Sequence, residues 1–268
     1  QEHLDTTLTE HDAVFTRVQA ETAIMRRLGN GDPEQVNAIA DTYLDGAGTL
    51  DAVPTMLSQR LNDGERYTTE AMLTAEKTVY DTTARGLGQA HHTIDRDQAV
   101  MALSVYEAAE GFQLNEGQRA MFLSWTSGGN QVDLTIGAAG TGKTAAADAA
   151  RYAWESQGLR VLGISTSGLA AQNLGAAAKL DVSTAHGLAT AIQEGRAPAV
   201  DVLVWDEMGM ASTREQAVIL PWAAANGVDL RGQGDPKQLD SVGAGSTFGR
   251  QCEQVNATEL TQNMRQDL

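Results

Sequence analysis

The chain has 268 residues, enough for one large or two modest domains, and 42% of them are hydrophobic. Its formal net charge of −16 and its pI of about 4.6 argue against a protein that coats nucleic acid by bulk electrostatics, so any such site has to be local. No apolar stretch approaches the roughly 18 residues of a membrane span, and residues 1–10 are polar and acidic. We therefore expect no membrane insertion and a cytoplasmic location. The single cysteine, Cys252, excludes a disulfide framework.

The first part of the chain, residues 1–113, is predicted to form a small, mainly helical domain with no clear strand. Thr16 and Gln19 have the spacing of a capping box that opens a helix. Asp32-Pro33 is typical of an N-cap followed by a first-turn proline, and another helix is predicted to begin at Thr68-Thr69-Glu70.

The pattern changes from residue 114 onward, where helical and strand signals alternate. Strands are predicted near residues 132–136, 160–164, 202–205 and 228–230. This alternation predicts an α/β fold in which helices flank a parallel sheet. Ligands of such open sheets bind along the edge where the strands end.

A glycine-rich motif, G-x-x-x-x-G-K-T, directly follows the first of these strands. Its residues are Gly137, Ala138, Ala139, Gly140, Thr141, Gly142, Lys143 and Thr144. A strand, a glycine turn and a helix in this order predict a P-loop, whose backbone N–H groups surround phosphate oxygens. In such a loop Lys143 neutralises phosphate charge and Thr144 can ligate Mg²⁺. We therefore predict ATP and Mg²⁺ as ligands.

Two adjacent carboxylates, Asp206 and Glu207, end the apolar strand near residues 202–205. Asp206 is suited to hold Mg²⁺, mainly through water, and Glu207 to orient and polarise an attacking water. The alternative is a solvated acidic strand end without a ligand. The adjacent pair His91-His92 is not expected to bind a metal, because neighbouring histidines rarely converge without further ligands.

Three further side chains are candidates for the nucleotide site. Gln238, in Gly234-Asp235-Pro236-Lys237-Gln238-Leu239, could contact the γ-phosphate, although the hexapeptide taken alone also fits a β-turn. Gln118 could contact the adenine edge, but Asn115 and Gln118 also have capping-box spacing. Arg265 could stabilise the transferred phosphoryl group as an arginine finger, or it could be a surface arginine.

Taken in chain order, these motifs resemble those of the first motor domain of superfamily 1 DNA helicases, and the RecD-like branch is the most similar. The segments that carry the resemblance are Gln118, the P-loop, residues 165–171, residues 183–186, Asp206-Glu207, residues 234–239 and Asn263-Met264-Arg265. The resemblance implies a RecA-like motor domain 1A over residues 114–268. It also implies ATP hydrolysis and movement on single-stranded DNA.

A narrower resemblance, to the helicase region of conjugative relaxases of the TraI/TrwC (MobF) type, rests on residues 13–17, residues 66–70 and Glu76. It implies, as partners, the remaining domains of the same polypeptide and the conjugation machinery. The family's DNA-contacting segments fall here on Thr166, Ser167, Thr184 and His186. Hydroxyls and backbone amides can hold phosphates without a basic surface. An ordinary side chain at a helix start is the alternative for His186.

The sequence departs from the family pattern at several positions. Trp205 stands where a smaller apolar residue is usual, so it either crowds the nucleotide or packs beneath it. Arg231, Gly232 and Gln233 replace the apolar strand expected before Gly234, and Asp240 stands where the family often has proline.

A second motor domain, which would complete the ATP site, is expected to be absent from these residues, so the chain alone should hydrolyse ATP poorly. The alternatives are a RecD-like repair helicase working with repair machinery, and a catalytically retired module that binds single-stranded DNA. A small-molecule kinase would not explain residues 234–239.

Overall fold

The computed structural model describes residues 2–8, 14–29, 32–45, 49–51, 66–236 and 247–262. The chain divides into two compact units. Among the described residues, the first unit contains those up to Lys77 together with 212–214, and the second contains the others. The boundary between the two compact units thus lies after Lys77, whereas the sequence suggested a domain boundary at residue 113. A functional boundary at residue 113 stays a prediction.

The first unit is mainly helical. Its helices are α1 (Glu2–Leu8), α2 (Arg17–Leu28), α3 (Pro33–Leu44) and the start of α4 (Glu70–Arg85). The predicted capping box of α2 is present, since the side chains of Thr16 and Gln19 each accept a hydrogen bond from the other residue's backbone N–H. Phe15, Ala20, Tyr43 and Leu44 form a small apolar core.

Three short strands were missed in the first unit. They are β1 (Phe15–Thr16), β2 (Thr49–Asp51) and β3 (Arg66–Thr69), and they form an antiparallel sheet in the order β1-β3-β2. Strands of two to four residues carry too little alternation of apolar and polar positions for a periodicity signal.

The second unit is built on a parallel six-stranded sheet, as predicted. Its strands are β4 (Val132–Gly137), β5 (Val161–Ser165), β6 (Asp181–Thr184), β7 (Val202–Trp205), β8 (Asp229–Gly234) and β9 (Thr258–Leu260). Their order is β6-β5-β7-β8-β4-β9. Four strands lie where the sequence predicted them, whereas the edge strands β6 and β9 were missed. Both are short and lack a clear apolar run.

Helices cover both faces of this sheet. One face packs against α5 (Arg96–Glu110), α6 (Glu116–Ser127), α7 (Lys143–Ser156) and α8 (Gly168–Ala178). The other packs against the end of α4 and against α9 (Ala185–Gln193), α10 (Thr213–Ala225) and α11 (Thr247–Val255). Trp205 belongs to the core on this second face and is fully buried, so it packs beneath the strand end.

The strand β8 forms although its sequence is not apolar. Arg231 is fully buried, pairs with Asp229 at 3.2 Å and donates to the carbonyl oxygens of Trp125, Asn130 and Gln131. Burial lowers the pKa of Arg231, and the charges of Asp229 and Asp133 oppose that effect. A buried cation is tolerated when paired and hydrogen-bonded in this way. The network therefore replaces the apolar contacts that the sequence pattern lacked.

Candidate functional site

The P-loop connects the end of β4 to the first residue of α7, as the motif predicts. Gly140 and Gly142 have φ angles of 87° and 78°, a left-handed conformation that favours glycine. Gly137 is closely packed, because a Cβ atom there would lie 2.8 Å from Thr141 Oγ1. The Thr141 hydroxyl donates to the Ala138 carbonyl at 2.9 Å. The loop is thus held in a compact turn in front of a helix N-terminus, where anions bind favourably.

Lys143 is folded onto its own loop. Its ammonium group donates to the carbonyl oxygens of Gly137 and, at 3.0 Å, of Ala138. Burial lowers the pKa of Lys143, while the nearby carboxylates of Asp206 and Asp235 act to raise it. A phosphate group beside this ammonium would supply the negative charge that its partly desolvated position favours.

The two predicted carboxylates follow β7 at the same sheet edge. Asp206 Oδ1 accepts from the Glu207 N–H at 3.0 Å and from Gln233 Nε2 at 2.9 Å. Glu207 has a φ of 54°, which is unusual for a residue other than glycine. One of its carboxylate oxygens, Oε2, accepts from the Thr166 hydroxyl at 3.4 Å. The side chain at the end of β5 therefore contacts the candidate catalytic carboxylate.

A cleft of about 440 Å³ brings these elements together. Its lining residues are Ala139, Gly140, Gly142, Lys143, Thr144, Asp206, Glu207, Gly209, Met210, Gly234 and Asp235. The cleft therefore unites the P-loop, both carboxylates and the start of the 234–239 motif. Hydroxyl and carboxylate oxygens, such as those of Thr144 and Asp206, are the ligands that Mg²⁺ prefers, so this donor set fits a magnesium–nucleotide complex.

A second cavity, of about 290 Å³, adjoins the P-loop residue Thr141. It is lined by Asn115, Glu116, Gly117, Ala120, Thr141, Leu260, Thr261 and Gln262. These residues come from the start of α6 and the end of β9. The cavity adjoins the phosphate-binding loop and is large enough for part of a nucleoside.

Gln118 forms the capping box that the sequence offered as an alternative to adenine contact. Its side-chain oxygen accepts from the Asn115 N–H at 2.9 Å, and its Nε2 donates to the Gly142 carbonyl at 3.2 Å. The side chain is nearly fully buried. These bonds use one of its two N–H donors and one of its two oxygen lone pairs, and its role in nucleotide recognition stays a prediction.

The four candidate DNA-contacting residues lie at the ends of β5 and β6 and at the starts of the helices that follow. Ser167 and Thr184 are the N-caps of α8 and α9, accepting from Ala170 N and Gly187 N. His186 is exposed and lies 3.7 Å from Glu215. Two capped helix N-termini at one sheet edge provide backbone N–H groups, which suit phosphate contacts.

Two predicted site residues, Gln238 and Arg265, lie outside the described residues, as do Lys237, Asp240 and Asn263. Conversely, sequence reasoning missed Gln233 as a partner of Asp206 and Met210 as a lining residue. A polar residue directly before Gly234, in a strand that should be apolar, was the signal that could have identified Gln233. Within the described ranges, no group of three or more His, Cys, Asp or Glu side chains is arranged to hold a metal on its own.

The fold and the cleft together define a nucleotide-binding P-loop NTPase, with a P-loop between strand and helix and two carboxylates at a neighbouring strand end. The family model for the AAA domain matches residues 113–268. The chain therefore belongs to the AAA domain family.

The curated relatives are conjugal transfer proteins. The conjugal transfer protein TraA of Agrobacterium fabrum is 31% identical over 206 residues, which cover 75% of this chain and 18% of that protein. The probable conjugal transfer protein TraA of Sinorhizobium fredii is 36% identical over 142 residues, covering 52% of this chain and 13% of that protein. The chain thus spans less than a fifth of these relatives. Together with the family match, they confirm the resemblance to superfamily 1 helicases of the MobF type.

Among solved structures, AMPPCP-bound DnaA from Aquifex aeolicus overlaps 58% of this chain and 51% of that chain, with 21% sequence identity and a TM-score of 0.37. A likeness of this size does not bear on function. No helix within the described part of the chain is long and apolar enough to cross a membrane.

Proposed function

We propose that this chain is the ATP-hydrolysing first motor domain of a conjugative relaxase-helicase, which uses ATP to move on single-stranded DNA. The observation that carries the proposal is the single cleft lined by Lys143, Thr144, Asp206 and Glu207. The similarity to conjugal transfer proteins favours plasmid transfer over a repair helicase, the second candidate of the same class. A cytoplasmic location is part of the proposal.

The residues of the cleft divide the work of phosphoryl transfer. Backbone N–H groups of the P-loop hold the phosphates, and Lys143 transfers its hydrogen bonds from the loop carbonyls to phosphate oxygens. Thr144 directly, and Asp206 mainly through water, would hold Mg²⁺, which would supply charge neutralisation at the phosphates. Glu207 orients the attacking water and accepts its proton. Gln238 and Arg265 are proposed as the γ-phosphate contact and the arginine finger.

The link to DNA runs through the end of β5. Thr166 donates to Glu207 and directly precedes Ser167, the N-cap of α8. Single-stranded DNA bound at this edge of the sheet would therefore act on the carboxylate that orients water. DNA binding is thereby expected to stimulate hydrolysis. The nucleoside is proposed to occupy the cavity between the start of α6 and the end of β9.

The test is ATP hydrolysis by the complete protein, with and without single-stranded DNA. Lys143→Ala should lower nucleotide affinity and turnover, and Glu207→Gln should keep affinity while turnover falls by about a hundredfold or more, because the base is lost. Lys179→Ala is the matched control, since Lys179 pairs with Glu110 and Asp148 and does not line the cleft. DNA-stimulated turnover abolished by both site variants supports the proposal. DNA binding without any turnover would instead favour a retired motor that only binds DNA.

A further inference from the structure

The central strand β8 places three polar side chains in the middle of the sheet. Asp229, Arg231 and Gln233 are each fully buried on the strand that lies between β7 and β4. Asp229 and Arg231 pair with each other, as described above. Gln233 is different, because its side chain extends along the sheet to the neighbouring strand end and contacts Asp206.

The contact selects one oxygen of the Asp206 carboxylate. Gln233 Nε2 donates to Oδ1 at 2.9 Å, and the Glu207 N–H donates to the same oxygen at 3.0 Å. Two donors on Oδ1 fix the rotation of the carboxylate group. The other oxygen, Oδ2, is left to accept from water or to face a cation at the cleft, since an ionised carboxylate has about four acceptor sites.

Gln233 is also costly to bury. Its Oε1 is inaccessible to solvent and has no hydrogen-bond partner among the described residues. An unpaired buried amide oxygen destabilises a fold, whereas an apolar side chain at this position would bury no polar group. The packing of the sheet therefore gives no reason for a glutamine here, but the hydrogen bond to Asp206 does.

We propose that Gln233 is a positioning residue for the magnesium–nucleotide complex, acting by holding the Asp206 carboxylate in the orientation that receives the hydrated cation. This inference rests on the nucleotide site of the proposed function. Partners that orient a metal-binding carboxylate typically change metal affinity or activity 10–100-fold when removed. The effect of Gln233 should therefore appear in the magnesium-dependent part of nucleotide binding.

The experiment measures ADP affinity of this chain by calorimetry, once in EDTA and once in excess Mg²⁺. Gln233→Met keeps the length of the side chain and removes the N–H donor. We expect its ADP affinity in EDTA to stay within about twofold of the unaltered chain. In Mg²⁺ its affinity should fall about tenfold. If this variant does not fold, Gln233→Leu answers the same question, because it also removes the donor and adds no charge beside Asp206.

Gln251→Met is the matched control. Gln251 is also fully buried, and its Nε2 donates to the Thr83 hydroxyl oxygen at 3.0 Å. Its Oε1 has no hydrogen-bond partner among the described residues. This variant should lose thermal stability as Gln233→Met does, but Mg²⁺ should increase its ADP affinity as much as it does for the unaltered chain. In an Asp206→Asn background, Gln233→Met should have no further effect on Mg²⁺ dependence.

Three results would overturn the inference. The first is that Mg²⁺ increases ADP affinity by the same factor in Gln233→Met as in the unaltered chain. This result would leave the proposed function intact. The second is an equal loss in Gln251→Met, which would show a merely structural role. The third is no binding of ADP to the unaltered chain in either condition, which would remove the proposed nucleotide site as well.

Discussion

At the scale of single residues, the backbone of Glu207 is the most unusual feature of the cleft. Its left-handed conformation turns the chain sharply after β7, and two bonds hold the turn. Its N–H donates to Asp206 Oδ1 at 3.0 Å, and its carbonyl accepts from Met210 N at 2.9 Å. A side chain in this conformation costs about 1–2 kcal/mol relative to glycine. The turn places the Glu207 carboxylate in the cleft. The fold therefore loses stability at a position where the proposed function requires a carboxylate and glycine would be less strained.

This conflict predicts a separation of stability from activity. Glu207→Gly should raise the free energy of unfolding by about 1 kcal/mol, because glycine adopts a positive φ without strain. ATP hydrolysis should be lost with the carboxylate. Urea denaturation of this chain measures the stability, and an ATP turnover assay of the complete protein measures the activity.

Asn256→Gly is the control for that variant. Asn256 also has a φ of 54°, but it follows α11 and does not line the cleft. It should gain some stability, less than Glu207→Gly because asparagine tolerates this conformation better, and keep full activity. A Glu207→Gly variant that is less stable than the unaltered chain would show that side-chain contacts outweigh the backbone strain.

At the scale of elements, the start of α6 is joined to the P-loop through one side chain. Gln118 closes the capping box with Asn115 and donates to Gly142, the N-cap of α7. One glutamine thus satisfies the N-terminus of one helix and a carbonyl at the start of the next. The link supports the shape of the loop that the phosphates require.

The capping role and the adenine role of Gln118 make different predictions. From the observed bonds, Gln118→Ala should destabilise the chain by about 1 kcal/mol, because the capping box loses its bond to the Asn115 N–H. It should weaken ATP and GTP binding equally, because the loop serves both phosphate groups. Competition binding with the two nucleotides measures the preference, and a selective loss of ATP affinity would instead support adenine contact.

Gln19→Ala provides the matched control for the cap. Gln19 occupies the same position in the capping box of α2, in the first unit. Its loss should lower stability by a smaller amount, because Gln19 is exposed, and should leave nucleotide affinity unchanged. A nucleotide effect in this variant would mean that stability loss alone explains the result for Gln118.

At the scale of the whole molecule, strong negative charge is combined with a proposed DNA-binding edge. The net charge of −16 repels a polyanion at long range. The candidate contacts at the ends of β5 and β6 are hydroxyls, a histidine and backbone N–H groups of α8 and α9. Such contacts hold phosphates by hydrogen bonding and release few counterions.

DNA binding by this chain should therefore depend weakly on salt. A plot of log affinity against log salt concentration should have a slope of about −2 or shallower, because single strands contribute about −0.7 per neutralised phosphate. Fluorescence anisotropy of a labelled oligonucleotide across a salt series measures the slope. Thr166→Ala should weaken binding without changing the slope. A slope of about −5 for the unaltered chain would contradict the prediction, because it would require a basic surface that these contacts do not supply.

Much of the architecture was predictable because its signals are local. The P-loop and the Asp206-Glu207 pair are contiguous in the chain, and four of the six parallel strands have apolar runs of adequate length. The edge strands β6 and β9 and the short antiparallel strands lack such runs, so their pairing depends on neighbours distant in sequence. The contact-based division at residue 77 was likewise not readable from composition.

The sequence by itself determined the nucleotide-binding loop, the two carboxylates and the parallel α/β sheet, since each depends on residues close together in the chain. Only the tertiary structure decided that Arg231 could lie in a central strand and that Trp205 packs into the core beneath the strand end. It also decided that Gln233 and Thr166 contact the two carboxylates. These outcomes depend on which strands lie side by side. Burial of a polar group is permitted only where a partner from another strand or loop meets it.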